Sequence, residues 1–377
     1  MREICCFYKG YGISKENLSN EGTPCILYGE LYTTYKTAIA KVIRSKTNLN
    51  SPTLFHSKKN DVIIPCSGET AEDIATSVCV PYDDILLGGD LTVIRSNLDG
   101  AFLSNQINHA RKYDIARIAQ GKSIVHLHAD ELKKIYISYP EIEEQRKISG
   151  FIDKIDERIA TQNKIIKDLK ILKKELMEKI LNNCNFVEMS IQELVDAKYV
   201  RIIKANELKQ FSGTKYYLST SSIGENGIEQ IESSVTFIDR PSRASMLPIK
   251  GSIWFAKMKN TIKVYQSIND DENRYILSTG FYGIICDENK VMARWLLELF
   301  KSVYFNTQKD RFSEGSSMSG IKDSQLSDIK LKIFTNRDIE KYHTNMLQCI
   351  SNKITLEMSL CEKLIEQKKF LLNAMFI

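Results

Sequence analysis

The stretch PEIEEQRKISGFIDKIDERIATQNKIIKDLKILKKELMEKI (Pro140–Ile180) decides the architecture of this chain. Pro140 closes a strand-like run, Ile135 to Tyr139, and Gly150 is then the only glycine before Gly213. Apolar residues recur at Ile148, Ile152, Ile155, Ile159, Ile166, Leu169, Leu172, Leu176 and Ile180. Steps of four and three describe a seam with a period of about 3.5, the signature of a coiled coil. Gln162 takes the seam position between Ile159 and Ile166, where a polar residue fixes register. The spacing predicts a helix over 141–184, and about 38 helical residues make a rod of roughly 57 Å. Its 10 basic and 9 acidic residues mark a solvated helix with one apolar stripe.

The last forty residues or so, 336–377, repeat the pattern with Met346, Ile350, Ile354, Cys361, Leu364, Leu371 and Met375 along one stripe. An offset of 195 brings Ile155 onto Ile350, Ile159 onto Ile354, Leu169 onto Leu364, Lys173 onto Lys368, Lys174 onto Lys369 and Leu176 onto Leu371. At 194, Gly121, Ser123, Leu132 and Ile135 face Gly315, Ser317, Leu326 and Ile329. The chain therefore reads as a tandem duplication: globular unit 1–140, helix 141–184, globular unit 185–335, helix 336–377. Short β-like runs fill both globular units, as at Asp61–Pro65, Asp90–Arg95, Ser252–Phe255 and Phe281–Ile285, with a short helix at Arg294–Phe300. An α+β fold is predicted for each.

Length and composition agree with this reading. The 377 residues exceed one average domain. Nine cysteines, at 5, 6, 25, 66, 79, 184, 286, 349 and 361, form no Cys-x-x-Cys pair and do not cluster with the five histidines. A disulfide framework and a structural zinc site are both disfavoured, and reduced thiols in a cytoplasmic protein are the expectation. No run approaches the ~20 apolar residues of a membrane span.

The net charge of +5, from 52 basic and 47 acidic residues, is too small to announce a nucleic-acid binder by itself. Its distribution is more informative. Between Glu30 and Asp61 lie Lys36, Lys41, Arg44, Lys46, Lys58 and Lys59 with no acid, and between Asp239 and Asp270 lie Arg240, Arg243, Lys250, Lys257, Lys259 and Lys263 with none. Two such windows, one per repeat, suit phosphate neutralisation in two places.

Common catalytic motifs are absent. No two of the seven prolines are adjacent, which excludes the Pro-Pro core of an amino-methyltransferase tetrapeptide. Gly121-Lys-Ser123 ends like a phosphate loop, but Ala116 stands where its first glycine belongs. Gly10-Tyr-Gly12 has no third glycine, Pro65-Cys66 has no glycine-rich cofactor loop beside it, and His126-Leu-His128 has no acidic partner at metal-ligand spacing. Asp83 with Glu131-Leu-Lys133 is too loose for a nuclease pattern.

The run Tyr139-Pro-Glu-Ile-Glu-Glu-Gln-Arg-Lys-Ile148, continued to Asp156 and then through Leu169 to Leu176, resembles the conserved helix of the specificity subunit of type I restriction-modification systems. Looser matches are Tyr8–Lys15, Pro241–Ala244 and Ala256–Thr261, and the likeness extends over essentially the whole chain. The second helix departs from the pattern, being approached through Phe334-Thr-Asn-Arg-Asp338.

The resemblance implies two globular target recognition domains separated by two long antiparallel coiled-coil helices in a pseudo-twofold tandem duplication. Each domain reads one half of a bipartite site on double-stranded DNA. Partners are two modification subunits and the restriction (motor-nuclease) subunits. The chain itself is non-catalytic and cofactor-free, with S-adenosylmethionine, ATP and Mg in the partner subunits. The alternatives are a self-contained DNA-modifying enzyme and a purely structural coiled-coil assembly protein. Candidate DNA-binding residues are polar ones on predicted loops: Lys9, Tyr11, Lys15, Ser67, Thr70, Lys122 and Ser123 in the first repeat. In the second they are Arg243, Lys257, Lys259, Asn260, Thr261, Lys263, Arg311, Ser316 and Ser317. Lys and Arg suit phosphate or guanine, Asn suits adenine, and Ser or Thr suits either role. The seam residues Ile148, Ile152, Ile155, Ile159, Gln162, Ile166, Leu169, Leu176, Ile350, Ile354, Leu364 and Leu371 are assigned to the helix interface.

Overall fold

The computed structural model describes residues 1–121, 125–224, 227–312, 321, 323–326 and 328–376. Two compact units emerge: Met1–Lys164 with Ser359–Ile377, and Ile165–Met358. The long helices α3 (Ile142–Asn183) and α6 (Arg337–Met375) each contribute one part to either unit.

The principal strands of the first unit are β1 (Cys5–Lys9), β2 (Thr23–Ile26), β3 (Ser45–Thr47), β4 (Phe55–His56), β5 (Asp61–Pro65), β6 (Val78–Val80), β7 (Leu86–Leu87) and β8 (Leu91–Ser96). Helices α1 (Gly100–Asn108) and α2 (Lys112–Ile118) follow. An antiparallel sheet runs β1-β8-β5-β6, and a second has the order β3-β2-β7-β4 with β2 and β7 parallel. Strand β5 is buried throughout because both of its faces are covered. Val62 and Ile64 join Leu103, Ile107 and Ile115 of the helices, while Ile63 turns to Ile26 and Leu87 of the second sheet.

The second unit repeats this plan strand for strand. Its principal strands are β9 (Val200–Ile203), β10 (Lys215–Leu218), β11 (Ser233–Val235), β12 (Ala244–Met246), β13 (Ile253–Ala256), β14 (Val264–Gln266), β15 (Tyr275–Ser278) and β16 (Phe281–Cys286). They form sheets β9-β16-β13-β14 and β11-β10-β15-β12, the latter again with its middle pair parallel, and α4 (Ala293–Lys301) and α5 (Val303–Phe312) follow. Ile253 and Phe255 face the helices, and Trp254 faces the second sheet. A Cβ at Gly283 would fall 2.3 Å from the Trp254 ring, so only glycine leaves room for the indole on β16. The duplication predicted from helix spacing is thus written in the topology, and the α+β class holds in both units.

The sequence places Gln145 in the run that resembles the conserved helix, and the structure gives this residue a physical role. Gln145 is buried, accepts the Asp99 N–H at 2.9 Å and donates to the Pro140 carbonyl at 2.8 Å. It thereby joins the start of α3 to Asp99, the residue capping α1. Adding 195 leads to Glu340, also buried, which accepts the N–H of Met292, the residue preceding α4, at 2.8 Å and pairs with Arg337. The divergent approach to the second helix therefore preserves the same joint with a carboxylate in place of an amide. Gln145→Ala is expected to remove about 1–3 kcal/mol from the first unit by orphaning buried backbone groups, measured by urea denaturation. Loss under about 0.5 kcal/mol would show that water replaces the amide.

Two sequence expectations change. Leu172 is exposed, whereas Met177 and Leu181 are buried with Ile191 and Leu347. A helix with about 3.6 residues per turn drifts against a seam with a period of 3.5, so the buried stripe moves round α3. Ile135–Tyr139 forms no strand, although Ile135 and Ile137 are buried. Its counterpart Lys330–Phe334 does pair, with Phe186–Ser190.

Candidate nucleic-acid interface

The same corner is constructed in both repeats, where the first sheet gives way to loops. In the first unit β1 ends at Lys9, and the Gly10 N–H donates to the Leu91 carbonyl at 2.8 Å. A Cβ on Gly10 would sit 2.1 Å from the Gly88 oxygen, so glycine is required where these two loops touch. The Cys66 N–H donates to the Asp90 carbonyl at 2.7 Å, and the Leu127 N–H donates to the Cys66 carbonyl at 2.9 Å. Ser67 meets His126 in a two-residue bridge with 3.4 Å between hydroxyl and ring nitrogen. Lys9, Tyr11, Cys66, Ser67 and His126 thereby gather at the ends of β1, β5 and β8.

In the second unit Lys257 occupies the place of Cys66. Its N–H donates to the Gly280 carbonyl at 2.9 Å, and its carbonyl accepts the Ile321 N–H at 3.1 Å. Lys204 follows β9 as Lys9 closes β1. Sequence reading selected Lys9 and Lys257 but passed over Lys204, whose equivalence to Lys9 becomes visible only once the strand registers are aligned, and weighed His126 only as a metal ligand.

Burial pushes the Cys66 thiol up, while the nearby Thr92 hydroxyl (3.1 Å) and Lys9 pull the other way. A thiol held protonated in this way is a poor nucleophile. Among the described residues no group of three or more His, Cys, Asp or Glu side chains is placed to hold a metal ion. Among its described residues the corner offers hydrogen-bond donors and cations.

The nominated residues have varied surroundings. Lys9, Tyr11, Lys15, Thr70, Arg243, Lys259, Asn260 and Arg311 are exposed, and Ser67, Lys257, Thr261 and Lys263 are half-buried. Thr70 caps the short helix Ala71–Ile74 by accepting the Asp73 N–H at 3.1 Å. The Lys257 ammonium lies 5.9 Å from the centre of the Tyr282 ring. Lys263 donates to the Thr220 carbonyl at 2.7 Å, and the Thr261 hydroxyl donates to the Lys259 carbonyl at 3.2 Å. Lys122, Ser123, Ser316 and Ser317 lie outside the described residues.

The two basic windows are less free in space than in sequence. Lys41 pairs with Asp153 at 2.6 Å and Glu157 at 2.8 Å on α3. Arg240 donates to the Ala244 carbonyl at 2.9 Å and stacks on Phe237 at 4.0 Å. Exposed cations remain in both, including Arg44, Lys46, Lys58 and Lys59 in one and Arg243, Lys250 and Lys259 in the other.

The family model described as the type I restriction modification DNA specificity domain matches residues 1–171. The type I restriction enzyme MjaVIII specificity subunit of Methanocaldococcus jannaschii is 24% identical over 274 residues, spanning 67% of this chain and 64% of that protein. The aligned part is thus under two thirds of that relative's length. Among solved structures, the S subunit of a type I restriction-modification system from M. genitalium has a TM-score of 0.60 at 15% identity, covering 98% of this chain and 93% of that one. A chain from a structure described as the basis of complex assembly and conformational transition of the type I system has a TM-score of 0.56 at 13% identity, over 100% and 96% of the two chains. At such identities the structural likeness is one of fold. Among the described residues no helix is long and apolar enough to cross a membrane.

Proposed function

We propose, from the match of residues 1–171 to the type I restriction modification DNA specificity domain and the similarity to a type I specificity subunit, that this chain is the DNA-reading subunit of a type I restriction-modification complex. Each repeat reads one half of a bipartite target through its corner. The observation that carries this reading is the double construction: one strand plan, one set of backbone bonds and one basic loop cluster, made twice in one chain. Phosphate contacts by the exposed cations supply affinity, and polar side chains on the loops supply discrimination between bases.

The chain acts without catalysing; two modification subunits carry S-adenosylmethionine, restriction subunits use ATP and Mg, and the assembly works in the cytoplasm. The long helices support a docking role. Phe151, Ile165 and Leu172 on α3, and Tyr342, Leu356 and Phe370 on α6, are all exposed and separated by multiples of seven residues. Apolar side chains repeating at that interval form a stripe suited to further helices.

The test is DNA protection by the chain bound to its modification partner. A footprint on two separated half-sites is expected. Lys257→Glu combined with Lys259→Glu is expected to weaken binding to all sequences about tenfold at moderate salt. The slope of log affinity against log salt should fall by about two, one for each phosphate no longer neutralised. Unchanged affinity and slope would remove the corner from the interface, and methyl transfer by the isolated chain would replace this reading with that of a self-contained enzyme.

A further inference from the structure

Lys309 is buried to 1% exposure inside the second unit, where a lysine is least expected. Helix geometry explains how it arrives there. Phe305, one turn earlier on α5, is fully buried in the main core of the unit, and a residue four positions on shares that face. The ammonium lies beneath the loop joining β13 to β14. It donates to the Met258 carbonyl at 2.7 Å and to the Thr261 carbonyl at 2.8 Å, with the Asp310 carboxylate 3.4 Å away. Asp310 in turn accepts the Asn260 N–H at 3.0 Å. Two consecutive side chains of α5 thus satisfy three backbone groups of the four residues Met258–Thr261.

We infer that Lys309 is the positioning residue of the second reading loop: it holds Lys259, Asn260 and Thr261 in one conformation for DNA and does not touch DNA itself. This inference rests on the DNA-reading assignment above. A loop without such a pin samples many conformations, and binding then has to order it. Asn260 adopts φ of 55°, a left-handed conformation that a non-glycine residue keeps when its surroundings hold it there. Burial lowers the Lys309 pKa, and the adjacent Asp310 carboxylate opposes that shift. A compact ammonium with three rotatable donors can serve both carbonyls at once.

The experiment compares wild type with Lys309→Met, an unbranched apolar substitute that tolerates burial, in the full chain bound to its modification partner. Three results are expected together. Amide exchange of residues 258–263 accelerates at least tenfold, protection of one half-site weakens about tenfold while the other is unchanged, and the salt slope stays at its wild-type value. That last readout separates a positioning lysine from one that neutralises a phosphate, since removing the latter lowers the slope by about one.

Wild-type exchange and wild-type protection in Lys309→Met would overturn the inference, and so would a slope lowered by one. Should Lys309→Met fail to fold, Asp310→Ala removes the Asn260 acceptor and leaves the cation in place. It is expected to give the same half-site-specific loss in milder form, and unchanged protection there would also overturn the inference. A wild-type complex that protects no split site would instead defeat the DNA-reading assignment. The exchange comparison would still decide whether Lys309 pins the loop.

Discussion

Arg95→Ala is expected to destabilise the first unit by about 3–5 kcal/mol, the usual penalty for leaving a buried charge without its partner. Asp61, at the start of β5, has a side chain with 0% exposure. Its carboxylate takes two parallel bonds from the Arg95 guanidinium, both 2.7 Å, and a third from the Lys58 N–H at 2.8 Å. Arg95 itself is 25% exposed and lies over the Tyr8 ring, so it relaxes toward water if Asp61 is removed, and Asp61→Ala should cost less, about 2–3 kcal/mol. The second unit solves the same position differently. Matching the strand registers of the two units makes Ser252 the counterpart of Asp61 and Ile285 that of Arg95, and the Ser252 hydroxyl accepts the Trp254 ring N–H at 2.7 Å. A neutral pair is therefore compatible with this fold. The double replacement Asp61→Ser with Arg95→Ile is expected to recover most of what Arg95→Ala loses. Amide exchange on β5 and β8 measures all three variants within their own unit. A double variant no better than Arg95→Ala would mean that the ion pair is bound to its local packing and the sister solution does not transfer.

How much of this was legible in the sequence depends on the range of the interaction. Period and repeat were readable because they are local: the helix read at 141–184 is Ile142–Asn183, and the offset of 195 found from seam leucines also relates Gln145 to Glu340. Strands buried on both faces, such as Asp61–Pro65, stood out as continuous apolar runs. Charge was harder to read. An acid-free window of sequence says nothing about acids that folding brings near, and Lys41 meets Asp153 and Glu157 from more than a hundred residues away. Lys309 was invisible for the same reason: a lysine beside an aspartate on a polar helix turn reads as solvated, and only the loop at Met258–Thr261 covering it makes it a buried pin. Thr70, an exposed loop hydroxyl read as a DNA-binding candidate, also caps a short helix, a local bond that the choice of loop polar residues did not consider.

Lys368→Met should produce a stability loss that depends on pH. Within the first unit α3 and α6 run antiparallel, with Asp156 against Lys368 at 2.6 Å and Asn163 against Cys361. Asp156 is 10% exposed and Lys368 20%. Burial pushes the Asp156 carboxyl up, Asp153 adds to the rise, and Lys368 and Lys41 oppose it. Removing Lys368 takes away the largest opposing influence, so the carboxyl rises further in the variant. An acid whose folded pKa lies above its unfolded value, about 3.9 for aspartate, contributes stability below that unfolded value and loses it as pH climbs through the folded one. The difference between variant and wild type should therefore be small below about pH 4, where Asp156 is protonated in both, and widen to about 3 kcal/mol near neutrality. Asp156→Asn in the Lys368→Met background removes the titrating group and should flatten the profile. Urea denaturation across this pH range makes the measurement. A gap equally large at pH 4 and pH 7 would mean that the lysine stem, and not its charge, is what the helix pair needs.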